Sequence, residues 1–528
     1  MTNQSVPPLS GIAGRKITSA LRVRYSFSFE DVMGATVVFL GALCLAFKDI
    51  EYRSIWRDEG VTLEAISGSW RTVPGRWFAQ DFVMGLYFTI TKAWVGLLGG
   101  RSPRSLRATS ALCIALLMVV CWFTVRHLSG YRGALVALPL LFTSQVLLLA
   151  GHDARAYALV ALLGASSYFA LVRGLERGGD CWAFAVFATL TSYAHPLGVL
   201  APVGMLLGAF LRADGPTRRW LVRAGVIAGV LVIPLAVAQL HARTGLFWLS
   251  RPSLSSLRFS AQWLLVGFGP TGAQLLRAAV LLLGAVLAVA SIIRLPSTGK
   301  RRQAAATESE VVPQDPRDRA QTSLAALVGW AVVPSVALLI ATYSHEPIFV
   351  DRYVLVSVPA VLMLAAIGIA RLPLVLCLAI GVVVVLAWAG PTAKAMRWQA
   401  NENWWGAFRA STARQLPGDV VLAGDGWPVL SHYFSLQSRP RPEQVYAIWP
   451  KATDTRPFAR RPGVDIDASL AELPSERTIW LYTFEGEPSD SIRPLGDALA
   501  RTRTVGYDEL FGLVRVRSFL PTGTSSTG

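Results

Sequence analysis

The stretch Phe82-Val83-Met84-Gly85-Leu86-Tyr87-Phe88-Thr89-Ile90-Thr91-Lys92-Ala93-Trp94-Val95-Gly96-Leu97-Leu98 decides how the rest of the chain is read. It is apolar enough to suggest a membrane span, yet it holds Lys92 and Trp94 and has an amphipathic pattern. A span needs about 20 mostly apolar residues. A basic amphipathic helix suits the plane of the membrane interface better. Taken as interfacial, the stretch leaves every later loop with charges that obey the positive-inside rule. Taken as a span, it reverses them all and puts the richest basic loops outside.

Upstream lies a basic tail, residues 1–31, with Arg15, Lys16, Arg22 and Arg24, then an uncleaved first span, 32–47. The basic flank puts the N-terminus in the cytoplasm and the loop 48–104 outside. Downstream, apolar stretches fall at 106–125, 133–150, 157–172, 181–194, 197–211, up to about 240, then 275–293, 324–341, 354–370 and 374–388. The turns predicted inside carry Arg126-His127 and Arg132, Arg173 and Arg177, Arg212 to Arg223, Lys300-Arg301-Arg302, and Arg371. This makes an α-helical polytopic membrane domain of about eleven spans, 32–389, followed by an outer soluble α/β domain, 390–528. In that domain Val420-Val421-Leu422-Ala423, 478–482 and 512–517 read as strands, and 491–500 as a helix.

Composition agrees. Of 528 residues 53% are hydrophobic and only 16% charged, against about 25% charged in soluble domains. The net charge of +17 is loop charge of this kind, so nucleic acid is not an expected partner. Cys44, Cys113, Cys121, Cys181 and Cys377 all lie in apolar stretches without a CxxC pair, which argues against a disulfide framework or a zinc ribbon. Walker, GxGxxG, HExxH and GxSxG patterns are absent.

Ionisable groups collect at the face read as outer. Ile55-Trp56-Arg57-Asp58-Glu59-Gly60 places adjacent carboxylates beside a tryptophan. A helix cap accounts for Asp58; so does a general base aimed at a hydroxyl, and the two are compatible. In His152-Asp153-Ala154-Arg155-Ala156-Tyr157, Asp153 and Arg155 pair, cap the next helix, or face the same volume. Asp81 is a third acid within reach. His195, before Pro196, is a turn residue or, with His152, a metal ligand. Tyr343-Ser344-His345-Glu346-Pro347-Ile348-Phe349-Val350-Asp351-Arg352-Tyr353 joins charge to aromatics at the mouth of a span. There Arg352 is an interfacial snorkel or the guanidinium of a lipid-phosphate site, with Arg251 and Arg258 as partners.

Taken in order, Trp56-Arg57-Asp58-Glu59, Asp81 to Phe88, Asp153 to Tyr157, His195 and Arg352-Tyr353 resemble an integral-membrane C-type glycosyltransferase. The likeness, over about residues 56–370, is to the protein O-mannosyltransferase and aminoarabinose-transferase group, nearest to actinobacterial mannosyltransferases. It implies transfer of a sugar, mannose first, from a polyprenyl-phosphate donor to a hydroxyl of a glycan, lipid or protein acceptor, typically with inversion. The setting it implies is the outer side of a bacterial plasma membrane, with membrane lipid as a partner. By the same resemblance Asp58 is the base, with Glu59 and Asp153 in the catalytic set, and Arg352 holds the donor phosphate. Arg155, Tyr157, Asp81, Tyr87, His195, His345 and Tyr353 then line the substrate. Where that group carries a histidine before Gly-Leu-Tyr-Tyr, this chain has Met84 before Gly85-Leu86-Tyr87-Phe88. No cofactor is required by the pattern, and a divalent metal beside the phosphate stays open.

The alternative of another class is a transporter or flippase for a lipid-linked sugar. Transporters show repeat-related broken helices with sites near the midplane, whereas these groups gather at one face and no halves match. A third reading gives the function to the tail, with Trp404, Trp405, Trp427 and Trp449 stacking on envelope glycans and the spans as anchor; an anchor needs one span. A topology reporter fused after Gly390 is expected to signal from outside the membrane; a cytoplasmic signal overturns the eleven-span reading.

Overall fold

The computed structural model describes residues 28–72, 84–98, 100–177, 181–241, 249–294, 316–397, 402–424, 426–436, 444–447, 470–471, 473–486 and 492–521. The helical part runs through α1 (Phe29–Phe47), α2 (Arg57–Ser67), α3 (Gly85–Leu98), α4 (Pro103–Phe142), α5 (Gln145–Gly151), α6 (Tyr157–Arg177), α7 (Trp182–Ala194) and α8 (Leu200–Phe210). It continues through α9 (Gly215–His241), α10 (Leu254–Leu265), α11 (Thr271–Arg294), α12 (Pro316–Ser344), α13 (Asp351–Val354), α14 (Val358–Ile369) and α15 (Leu374–Met396). Among the described residues eight helices are long and apolar enough to cross a membrane, counting α13 and α14 as one; α7 and α8 are shorter apolar helices. Each stretch read as a span is largely helical. The helix within 82–98 is only Gly85–Leu98, 14 residues, too short to cross a bilayer core of about 30 Å at 1.5 Å per residue.

Helix α4 breaks at Gly130, whose φ of 70° suits a residue without Cβ. The chain then doubles back, so that a side chain at Gly151 would meet Ala111 and Ile114. A second break, at Thr143-Ser144, strands the last carbonyls of α4 inside the bundle. Arg277, 2% exposed, covers them: it donates to Thr143 Oγ1 at 2.7 Å and to the Leu140 carbonyl at 3.2 Å. Its Nε donates to the Leu265 carbonyl at 3.1 Å, which ties α10 to the same break.

Two of the turns read as cytoplasmic meet each other and the start of α1: Arg126 pairs with Asp31, the Tyr131 hydroxyl donates to Glu30 at 2.8 Å, and His127 pairs with Glu176. The segments carrying Asp58, Asp153 and Arg352 meet elsewhere, as described below.

Helix α15 extends past residue 389 to Met396, through Pro391. The tail then forms α16 (Trp404–Thr412), β1 (Val420–Ala423), α17 (Trp427–Leu436), β2 (Gln444–Ala447), β3 (Ile479–Phe484), α18 (Arg493–Thr502), β4 (Val505–Phe511) and β5 (Val514–Phe519). The sheet order is β2-β1-β3-β5-β4, with β1 parallel to both neighbours and β5 antiparallel to β3 and β4. Strand periodicity splits its side chains between two cores. Val420, Leu422, Ile479 and Leu481 pack with Leu495 and Leu499 of α18. Val421, Ala423, Trp480 and Tyr482 face the other way, into a core shared with Ile55, Leu63 and Ile66 of the first loop. The α/β tail is therefore fused to the segment that carries Asp58.

Helices α8 and α12 touch through glycine. A side chain at Gly208 would strike the backbone of Ala325 and Ala326, and one at Gly204 would strike Gly329. Small residues at such spacing let helix backbones approach closely where lipid supplies no hydrophobic drive. Gly208→Leu is expected to lower the thermal unfolding midpoint in detergent, by the ~1–3 kcal/mol of an overpacked contact. Gly229→Leu, where a side chain meets nothing within 4 Å, is expected to leave it unchanged.

Candidate active site

Helix α2 follows an extended segment, and its N-cap is Trp56, with φ −110° and ψ 171°. The expected cap at Asp58 is thereby corrected by two positions: Asp58 and Glu59 both sit in the first helical turn, where carboxylates favour the positive end of the dipole. A step of 100° per residue sends these neighbours in different directions.

Glu59 points inward and is 0% exposed. Arg107 grips it with a two-pronged fork, Nε to Oε1 at 2.7 Å and Nη2 to Oε2 at 2.6 Å. Its Oε1 also accepts the Ala154 N–H at 2.9 Å. One turn on, Thr62 donates to the Ala154 carbonyl at 2.8 Å. The turn bearing Asp153 and Arg155 is thus clamped onto α2 from both sides of one peptide. Arg107 spends its remaining N–H groups on the carbonyls of Ile50 (2.8 Å), Arg53 (2.9 Å) and Ser54 (3.0 Å).

Asp58 points the other way, its side chain 28% exposed. Its Oδ2 accepts from Arg352 Nη1 at 2.8 Å, and Arg155 Nη2 lies 3.9 Å away. Arg155 Nη1 donates to the Asp58 carbonyl at 2.9 Å, so Arg155 turns to Asp58 rather than only to Asp153. Asp153 Oδ1 instead accepts the Trp56 indole N–H at 3.0 Å. Burial alone would push the Asp58 carboxyl up, but the guanidinium groups of Arg352, Arg155 and Arg57 hold it below the usual carboxylate value. Asp153 goes the opposite way: burial and the Glu59 charge push its carboxyl up. Two carboxyl groups of one site are thereby driven apart.

Beside this pair opens a small, partly open cleft lined by Tyr157, Val160, His195, Gly198, Arg352, Tyr353, Leu355 and Val356. His195 packs 5.0 Å from the Tyr353 ring centroid and 6.2 Å from that of Tyr157. The Arg352 guanidinium carbon lies 5.8 Å from the Trp56 ring and 6.0 Å from that of Tyr157. Asp58, Asp153, Arg155, Tyr157, His195, Arg352 and Tyr353 are therefore brought together.

Two other expected residues fall elsewhere, and a third lies outside the described residues. Tyr87 lies in the core, 0% exposed, its hydroxyl 2.8 Å from that of Ser110. His345 is exposed, and its carbonyl accepts from Arg251 at 3.4 Å. Asp81 lies outside the described residues. Met84, at the histidine position of the resembled group, accepts the Ala156 N–H on its sulfur at 3.4 Å. Lys92, the residue that argued against a span, donates to the Ile66 carbonyl at 2.9 Å and caps the end of α2. Among the described residues no three His, Cys, Asp or Glu side chains form a group able to hold a metal ion, so His152 and His195 do not build one there.

The sequence reading passed over three residues. Arg107 stood just inside an apolar span, where a charge ordinarily marks a partner. Glu402 accepts the Arg57 N–H at 3.0 Å and pairs with its Nε at 3.2 Å. Tyr433 accepts the Ile55 N–H at 2.9 Å. The last two lie in the tail and carried no local signal.

No protein-family model and no curated protein matches the chain. Among solved structures it is similar to ArnT from Cupriavidus metallidurans bound to undecaprenyl phosphate, at 14% identity and TM-score 0.58 over 92% of this chain and 97% of that one. The apo state of that protein aligns at 14% identity and TM-score 0.56, over 92% and 98%. The Archaeoglobus fulgidus oligosaccharyltransferase in complex with zinc and sulfate aligns at 14% identity and TM-score 0.46, over 85% of this chain and 67% of its own. The chain shares its fold with ArnT.

The opposite orientations of Asp58 and Glu59 have separable consequences. Arg107→Met strands a buried carboxylate and is expected to cost about 3–5 kcal/mol, read as a large fall in the thermal midpoint. Asp58→Asn is expected to shift that midpoint little. Equal losses would contradict this division of roles.

Proposed function

We propose that this chain transfers a sugar from a polyprenyl-phosphate donor to an acceptor hydroxyl, with Asp58 as general base and Arg352 holding the donor phosphate. One observation carries the reading: a carboxylate and a guanidinium from distant segments meet at 2.8 Å beside the cleft that Arg352 also lines. Support comes from the fold shared with ArnT, whose structure holds undecaprenyl phosphate.

The chemistry follows from the charges. The acceptor oxygen attacks the anomeric carbon as the bond from that carbon to the phosphate oxygen breaks. The leaving polyprenyl phosphate keeps the electron pair, and the Arg352 guanidinium stabilises the added charge through charge-assisted hydrogen bonds. Asp58, held ionised by its cationic neighbours, takes the hydroxyl proton late in the step. Arg352 holds Asp58 in place. With phosphate present the guanidinium is shared, which raises the basicity of the carboxylate when the proton must move. A single displacement inverts the anomeric centre.

Glu59 is reassigned from the catalytic set to positioning, because Arg107 and the Ala154 N–H take up both of its oxygens. Mannose is the leading sugar, and the extracytoplasmic face of a bacterial plasma membrane is the setting that the loop charges favour. The transporter reading lacks support from the geometry: the paired charges sit at helix ends and in turns, at Asp58, Arg155 and Arg352.

Asp58→Asn in reconstituted membranes is expected to lower transfer by at least the ~10²-fold of a lost general base while the lipid donor still binds. Arg352→Ala is expected to weaken donor binding itself. Full transfer by the Asp58 variant removes it from the base role, and unchanged donor affinity in the Arg352 variant removes the phosphate assignment.

A further inference from the structure

His195 is 4% exposed, yet among the described residues its Nε2 has no hydrogen-bond partner. Its other nitrogen is committed, since Nδ1 accepts the Leu197 N–H at 3.2 Å. Burial, with Arg155 and Arg352 nearby, lowers its pKa to about 3, so the ring is neutral and its one proton sits on Nε2. The backbone thereby fixes the tautomer, and the two flanking tyrosines fix the ring. What results is an oriented N–H donor in the wall of the cleft, enclosed and unsatisfied. A buried donor left this way is costly unless a ligand completes it.

Among the described residues lining the cleft Arg352 is the one that carries a charge, so a phosphate is met there and the hydroxyl groups beside it are left to His195.

Resting on the function proposed above, we propose that His195 Nε2–H donates to a hydroxyl oxygen of the donor's sugar. A site built to hydrogen-bond a hydroxyl discriminates strongly against a ligand that lacks it, because the buried group is then left unpaired. His195 so acts as a specificity-determining residue, reading the sugar while Arg352 reads the phosphate.

The test is direct binding of the purified full-length chain to two lipids: polyprenyl phosphate alone and the same lipid bearing mannose. The wild-type chain is expected to prefer the mannosyl lipid over the bare one by about tenfold, the size of one well-made buried hydrogen bond. His195→Ala is expected to lose the preference while binding bare polyprenyl phosphate unchanged, which also shows that it folds. His195→Gln, whose amide N–H approximates the position of Nε2–H, is expected to restore part of it. Full preference retained in His195→Ala overturns this proposal and leaves the phosphate site standing. Failure of the wild-type chain to bind either lipid overturns the proposed function and this inference with it.

Discussion

A carboxylate with no access to water must be matched by a cation, and Glu59 meets that requirement through Arg107. The match is worth little as net stability, since desolvating both charges offsets most of their attraction. Its value is geometric. The fork fixes the first turn of α2 against α4, and the same carboxylate holds the Ala154 N–H. Asp58 and the Asp153–Arg155 turn are thus referred to one rigid point. Only against that point does the reach of Arg352 to Asp58 define a site.

The C-terminal α/β domain belongs to this arrangement. Glu402 takes both the backbone and the guanidinium of Arg57, while the Trp404 indole donates to Glu402 at 2.8 Å. Tyr433 accepts the Ile55 N–H, and Ser54 accepts that of Trp405 at 3.0 Å. The Arg57 guanidinium also lies 3.5 Å over the Phe484 ring. The strand-like entry into α2 therefore has its polar groups satisfied by the tail on one side and by Arg107 on the other. The tail, bound this way, steadies the first turn of α2 and with it Asp58.

Much of the bundle was legible because its signal is local. Apolar length marks helices, and basic turns such as Arg126-His127 mark their ends; Lys92 was enough to argue against a span at 82–98, and the helix there is short. The strand 420–423 showed itself by an apolar run before a glycine turn. Strand β4 did not, because its edge position leaves most of Val505–Phe511 exposed and without alternation. At the site, order along the chain brought Asp58, Arg155, His195 and Arg352 to notice. What it lacked was direction. Asp58 and Glu59 are adjacent in sequence and face opposite environments, Tyr87 turns into the core, and Glu402 acts from 345 residues away on Arg57. Long-range polar partners leave no periodic trace, so pairings of this kind emerge only from the fold.

The most direct measurement is an experimental structure of the full chain in lipid nanodiscs with a polyprenyl phosphate. The account predicts the phosphate hydrogen-bonded to Arg352 beside the cleft of Tyr157, His195 and Tyr353, with the Asp58 carboxylate alongside and the Glu59–Arg107 fork intact. A phosphate seated at another part of the bundle, with Arg352 still closed on Asp58, would contradict it.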